Sequence, residues 1–319
     1  MQQARQQERS RRNGTGGIDA ATAAAHKGQQ TEAHPKPAVP FFPHWRSICH
    51  IDMRATTNSK VLAINCFHEN SNGSVRFSAL LGLLLLMWFC LVNPVLGENT
   101  TNVFESRAQK AYQTTRDAYR AAPQNDEAAW RYGRAIFDLA EFAKGDDARE
   151  ELALEGIAVC RALVARSPKH AAGHYYLGMN LGQLARTKTL GALSIVREME
   201  KVFKRSAELD NKVHYSGADR CLGILYLEAP GWPTSIGSRS KSRQHLQRCV
   251  ELSPEYPDNH LELMEAYVEW KDTKALHKAA QSYEELLPKA REQFKGEQWE
   301  ENWLDWNKRW QLIQNRLHK

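Results

Sequence analysis

Cysteine is scarce and scattered: six occur in 319 residues, none in a CxxC pair. That excludes thioredoxin-like redox chemistry and the common zinc frameworks. The phosphate-cradling GxxxxGK[ST] and GxGxxG runs, the HExxH of zinc peptidases and the GxSxG of hydrolases are also missing. His174, His214, His245, His260 and His277 are dispersed, and no acid/base pair has a catalytic spacing. The expectation is a non-enzymatic chain with no catalytic residue, metal ligand or cofactor. Residues 98–319 lack any charge excess, with 33 Lys+Arg against 32 Asp+Glu, so nucleic acid is not an expected partner. The formal charge of +6 comes from the front, where residues 1–97 hold 10 Lys+Arg and 5 Asp+Glu.

No apolar run reaches the roughly 20 residues of a membrane span. The longest, Ala79 to Val92, has 14 residues. Arg76 precedes it, Asn93-Pro94 break it, and Val95-Leu96-Gly97 end in a small residue. This pattern is expected to be a secretory signal over 75–97, cut after Gly97, giving an exported, periplasmic or envelope-associated protein; an uncleaved anchor is the alternative. Residues 1–74 are polar and without period, and read as disordered or as an over-extended reading frame with Val75 as the true start. Trp88-Phe89 are too bulky for a lipid-attachment site at Cys90.

What is present from Glu98 onward is a recurring pair of helix signatures. Trp130, Gly133 and Phe137 are followed by Gly156, Cys160, Leu163 and Pro168. His174, Leu177-Gly178 and Leu181 lead to Met199, Phe203, Ser206 and Asn211. Leu222-Gly223 and Tyr226 lead to Ser242, Leu246, Cys249 and Pro254, and His260, Leu263-Met264 and Tyr267 to Leu276, Ala280, Tyr283 and Pro288. The glycine lets two helices cross closely, the bulky residue fills the gap, and proline closes the unit. Asn125, Asp126, Asp210, Asn211, Asp258 and Asn259 stand where helix caps are expected. His174 and His260 read as packed rings. Cys160, Cys221 and Cys249 read as buried thiols, although Cys221 and Cys249 fall on one hairpin and could meet. Over about residues 100–290 the chain resembles the tetratricopeptide superfamily. That resemblance implies an all-α, TPR-like helical-hairpin solenoid over 98–319, since one hairpin cannot bury its apolar face alone.

The spacing between the two signatures is 9 residues in the last repeat and 19, 18 and 16 in the first three. These three are expected to carry enlarged tips, EFAKGDDAREEL, GQLARTKTLGALSIVRE and LEAPGWPTSIGSRSK, along one edge of the solenoid. That edge is the candidate functional surface, with Tyr226, Pro230, Gly231 and Trp232 in the third tip. Trp232 is either packed on a neighbouring tip or used as a ligand platform, and packing is the favoured reading. In the tail, Trp299, Trp303, Trp306 and Trp310 form one helical stripe. It reads either as a C-terminal cap over the last repeat or as a docking face centred on Trp303 and Trp306, and such spacing favours the cap.

The segment from Leu222 to Asp272 resembles the T-component of TRAP transporters. It has a Leu-Gly–Tyr helix, an Ala-Pro-Gly tip, a helix closed by Pro, and a helix ending Ala-Tyr. The resemblance implies an exported accessory beside a periplasmic solute-binding protein, with a protein or small-solute partner and oligomeric assembly. A membrane-anchored scaffold for envelope assembly and a non-catalytic subunit of an enzyme complex are the alternatives.

Overall fold

Close helix crossings at glycine set the architecture. In a computed structural model, which describes residues 95–188 and 191–318, the chain forms ten α-helices and one 3-10 turn, with no strand beyond an isolated bridge among the described residues. The chain divides into two compact units; Met1–Val39 lies outside the described residues, which all fall within Pro40–Lys319. The disordered segment expected over 1–74, and the signal up to Pro94, likewise lie outside them.

Helix α1 (Val95–Ala121) caps the front. Four hairpins follow: α2 (Asp126–Ala140) with α3 (Asp146–Arg166), α4 (Ala171–Arg186) with α5 (Ala192–Leu209), α6 (Gly217–Glu228) with α7 (Arg239–Leu252), and α8 (Pro257–Glu269) with α9 (Thr273–Gln293). A 3-10 turn (Glu297–Trp299) leads into α10 (Glu300–Leu317). This is the expected all-α helical-repeat solenoid.

The signatures face each other as their spacing predicts. A Cβ added at Gly133 would lie 2.4 Å from Cys160 Sγ, at Gly178 2.5 Å from the Phe203 ring, and at Gly223 2.6 Å from Leu246. The fourth repeat exchanges the sizes: Met264 stands at the glycine position and Ala280 at the bulky one, and both are buried. His174 and His260 each donate from Nε2 to the carbonyl of the closing proline six residues earlier, Pro168 at 3.0 Å and Pro254 at 2.8 Å. They are structural rings, as expected. Cys160, Cys221 and Cys249 are buried free thiols.

Three expectations need correction. Only the third repeat has an enlarged tip loop, the ten residues Ala229–Ser238. In the first two repeats the extra residues lengthen the helices instead, leaving α3 with 21 residues and α5 with 18. Their Ala, Leu and Glu continue a helix readily, whereas the Pro- and Gly-rich third tip cannot. Pro288 does not end its helix, and α9 runs on to Gln293. Burial of Ala290 and Phe294 holds the turns beyond it. Asn125 caps α2 through Ala128 N–H at 3.0 Å, but Asp126 is already inside that helix, Asp210 ends α5 and Asn211 follows it while Ser216 precedes α6, and Asp258 and Asn259 lie inside α8, which starts after Tyr256 with Pro257 in its first turn.

The junction before α6 is left-handed at three successive residues, His214, Tyr215 and Ser216 (φ 51°, 54° and 60°). Each costs roughly 1–2 kcal/mol for a residue other than glycine. The surroundings hold them. His214 stacks on Tyr175 at 5.5 Å and Tyr215 on Tyr256 at 4.4 Å. Asn259 donates to the Tyr215 carbonyl at 3.1 Å, and the Ser216 and Ser253 hydroxyls are 2.8 Å apart.

Gly223→Ala drives a methyl into Leu246, so it is expected to destabilise the fold by about 1–3 kcal/mol in urea unfolding followed by circular dichroism. Pairing it with Leu246→Ala, which opens the space that the new methyl needs, is expected to cost less than the two single losses added together.

Candidate functional site

The inner side of a helical-repeat array is formed by the first helix of each hairpin, and here charged residues of that side are paired with one another and, in the fourth repeat, with α10. Arg134 and Asp138 of α2 and Glu141 at its C-cap share a face; Arg134 pairs with Asp138 at 3.3 Å, and Arg186 of α4 with Glu141 at 3.1 Å. On α8, Asp258, Glu262 and Glu265 share a face at steps of four and three. Arg309 of α10 reaches all three, at 2.6, 2.7 and 2.7 Å. Arg220 of α6, fully buried, holds the other oxygen of Asp258 at 3.1 Å and Asn259 at 2.7 Å. Helix α10 therefore lies against α8, the first helix of the fourth repeat.

The two ends of the array also meet. Arg107 of α1 donates to the Glu297 carbonyl at 3.1 Å and to Glu300 at 2.9 Å. A cavity of about 720 Å³ lies there, lined by Phe104, Phe294, Trp303, Leu304 and Arg291 among others. Glu301 faces the first repeat. Burial, then the carboxylates of Asp138, Glu141 and Asp305, push it up to about 8 against a smaller pull from Arg107. Burial raises Asp138 to about 7, in spite of Arg134.

The tryptophans of the tail belong to this closure. Trp306, 1% exposed, meets Tyr256 edge-on at 5.5 Å, and Trp299 and Trp310 are buried with it. Trp303 is half-buried, donates to the Phe294 carbonyl at 2.8 Å and carries Arg291 over its ring at 4.5 Å. The stripe is a cap, and Trp306 offers no accessible docking surface because its ring is spent on the core.

The third tip is different. Trp232 is 89% exposed at its crown. The favoured expectation, that it packs on a neighbouring tip, is not met. The loop beneath it is braced: Ser238 N–H donates to the Tyr226 carbonyl at 2.8 Å, Gly237 N–H to Pro230 at 2.9 Å, and Thr234 and Ser235 N–H to Gly231 at 3.1 and 3.2 Å. A Cβ at Gly237 would come within 2.0 Å of the Ala229 carbonyl, so only glycine allows the neck to close. Pro230 and Gly231 belong to this neck and present no ring or charge of their own. Tyr226 is buried below it, 1% exposed; its hydroxyl donates to Glu200 at 2.5 Å and its ring stacks on His245.

Cations surround the tip that sequence reasoning missed. Arg239 lies over Trp270 at 5.4 Å, and Lys241 over the Tyr226 ring at 5.0 Å. Arg243 sits over Trp270 at 4.8 Å and pairs with Asp272 at 2.9 Å. A signal was present, since residues 229–250 contain Arg239, Lys241, Arg243 and Arg248 and no acid. No group of His, Cys, Asp and Glu among the described residues could hold a metal, and no described helix is long and apolar enough to cross a membrane.

These features define a helical-repeat fold of the tetratricopeptide type. A thermophilic TPR protein of Thermus thermophilus has the same fold, with a TM-score of 0.50 at 18% identity over 69% of this chain and 96% of that one. MamA of Desulfovibrio magneticus is more distant, with a TM-score of 0.40 at 17% identity over 60% and 93%. Residues 98–214, covering α1 to α5, match the family model of the regulator of microtubule dynamics proteins 1-3. No curated protein matches the chain. The braced tip lies beyond the part that the family model matches.

Trp232→Ala is expected to leave the melting temperature within about 1 °C of the parent, because the ring covers no core. A large fall, measured by differential scanning calorimetry, would place the ring in the core instead. Glu301 keeps its proton in the folded chain at a pH where the unfolded chain has lost it, so its contribution to stability falls as pH rises from the ordinary carboxylate range towards 8. Glu301→Gln is expected to raise the melting temperature at pH 8, to change it little at pH 5, and so to flatten the profile between them.

Proposed function

We propose that this chain is a protein-interaction module that engages its partner through the tip edge of the third and fourth repeats and acts on microtubule dynamics. The observation that carries the reading is Trp232. A fold that buries Trp299, Trp306 and Trp310 leaves this ring in water on a braced loop. Large rigid aromatics held this way are what protein interfaces use as anchors, because little side-chain entropy is lost on binding. The inner side, with its charges paired there and against α10, offers less. The match of residues 98–214 to regulators of microtubule dynamics supports the microtubule part. The test is the full chain added to growing microtubules under the light microscope. A changed growth or catastrophe rate that Trp232→Ala reduces supports the reading, and unchanged rates overturn it.

Export is a competing proposal, favoured by the apolar run Ala79–Val92 and the small residue Gly97. With it go the periplasmic location and the T-component role beside a solute-binding protein, which rest on the Leu222–Asp272 segment. Edman sequencing of the native protein separates the two. A mature chain beginning at Glu98 is expected for export, and a chain retaining residues 79–92 is expected for a membrane-held module in the compartment that contains microtubules.

A further inference from the structure

We infer that the outward stripe of α7, together with the third tip, is a docking site for an extended acidic segment of a partner protein. The inference rests on the proposal above that the tip edge is the interaction surface, and it names the partner's chemistry.

Charge comes first. Between Glu228 and Glu251 the chain holds four Lys or Arg residues and no Asp or Glu, although residues 98–319 as a whole are balanced. Arg239 and Lys241 are exposed; aromatic faces hold both, and Arg239 also donates to the Trp270 carbonyl at 3.3 Å. Among the described residues neither forms an ion pair, although Lys241 acts on Glu200 and Arg239 on Asp272 at longer range, whereas Arg243 is matched by Asp272 and Arg248 leans on Asp219 at 3.6 Å. A cation fixed over an aromatic ring loses little freedom when an anion arrives.

Shape comes second. A hollow of about 350 Å³ runs along α7, lined by Ser240, Arg243, Gln244, Gln247, Arg248 and Glu251, the residues of a single helical stripe. Gln247 donates to the Tyr267 hydroxyl at 3.1 Å and Arg243 covers the Tyr267 ring at 5.3 Å, so α8 supports the stripe. Eleven helical steps are about 17 Å, which an extended segment covers with about five residues. The amides of Gln244 and Gln247 in the lining suit peptide carbonyls, and the carboxylates fall to Arg239 and Lys241, which flank Ser240 outside the lining. A polar, elongated hollow fits a peptide better than a bilayer surface, since among the described residues Trp232 is the one large apolar side chain exposed on this tip and stripe. Trp232 stands at the tip end of the stretch, seven residues before Arg239, and supplies the apolar contact there. Glu251 closes the other end and sets the limit of the acidic segment.

The probe is a fluorescein-labelled twelve-residue poly-glutamate peptide, titrated with the full chain by fluorescence anisotropy. A Gly-Ser peptide of equal length and vesicles of phosphatidylserine serve as comparisons. Binding of the acidic peptide is expected to weaken at least about tenfold in Arg239→Glu/Lys241→Glu, and about threefold or more in Trp232→Ala. Lys110→Glu/Lys169→Glu, an equal change of charge elsewhere on the surface, is expected to stay within about twofold. Lys241→Glu alone, which disturbs only a surface contact, serves if the double variant does not fold. Equal losses in the two double variants, equal binding of the Gly-Ser peptide, absence of peptide binding, or binding to the vesicles alone each overturns the inference. Peptide binding without an effect on microtubules would overturn the microtubule reading and leave this one standing; an effect on microtubules with no peptide binding would do the reverse.

Discussion

Two buried guanidinium groups share one carboxylate, and the closed form of the array depends on that arrangement. Asp258 takes Arg220 on one oxygen and Arg309 on the other, which joins α6, α8 and α10 in one chain of charge. Glu262 and Glu265 complete the shell around Arg309. Two buried charges are costly to take out of water, and such a set is tolerated only when nearly every lone pair and proton has a partner. Removing one member would strand the others, so the network fixes where α10 lies more firmly than an apolar seam would. The aromatic floor of Tyr256, Trp299 and Trp306 supplies the burial that makes the charges interact strongly.

With α10 laid against α8, the edge of the hairpins carries the most exposed chemistry of the later repeats. The third tip is the one place there where the chain leaves helical geometry for ten residues. Its neck is held by backbone hydrogen bonds and by Ala229 and Ile236, which pack against the core. That division of labour lets a large ring stand in water without loosening the repeat beneath it. Tyr226 shows the boundary: its hydroxyl and ring are committed to Glu200 and His245, and the exposed chemistry begins only above it.

Much of the fold was legible because the pairing of small and large residues is local in pattern and physical in origin. Gly133, Gly178 and Gly223 sit against Cys160, Phe203 and Leu246 as their positions in the two signatures require. The tryptophan stripe was legible for the same reason, since steps of four and three place side chains on one face. The tips were not. Counting residues between signatures gives the number added and not their conformation, and alanine- and leucine-rich additions extended α3 and α5. Pro288 misled because a proline's effect depends on what is buried after it. The charge chain was half-visible: Asp258, Glu262 and Glu265 share a helical face in the sequence, but Arg309 and Arg220 come from elements 51 and 38 residues away from Asp258. The site was least legible, since an isolated tryptophan between prolines says nothing about whether a neighbour covers it.

The exchange at the fourth repeat carries a consequence for the ancestry of such arrays. Three units present a notch and receive a knob, while in the fourth the corresponding positions are held by the buried Met264 and Ala280. A copied unit inherits both halves of its own fit, so whole hairpins can multiply. Half-units cannot be shuffled between the fourth position and the rest, because recombination within a hairpin would set methionine against leucine, or leave glycine facing alanine over a void. Exchanging whole hairpins therefore keeps each fit intact, whereas exchanging single helices with the fourth unit does not.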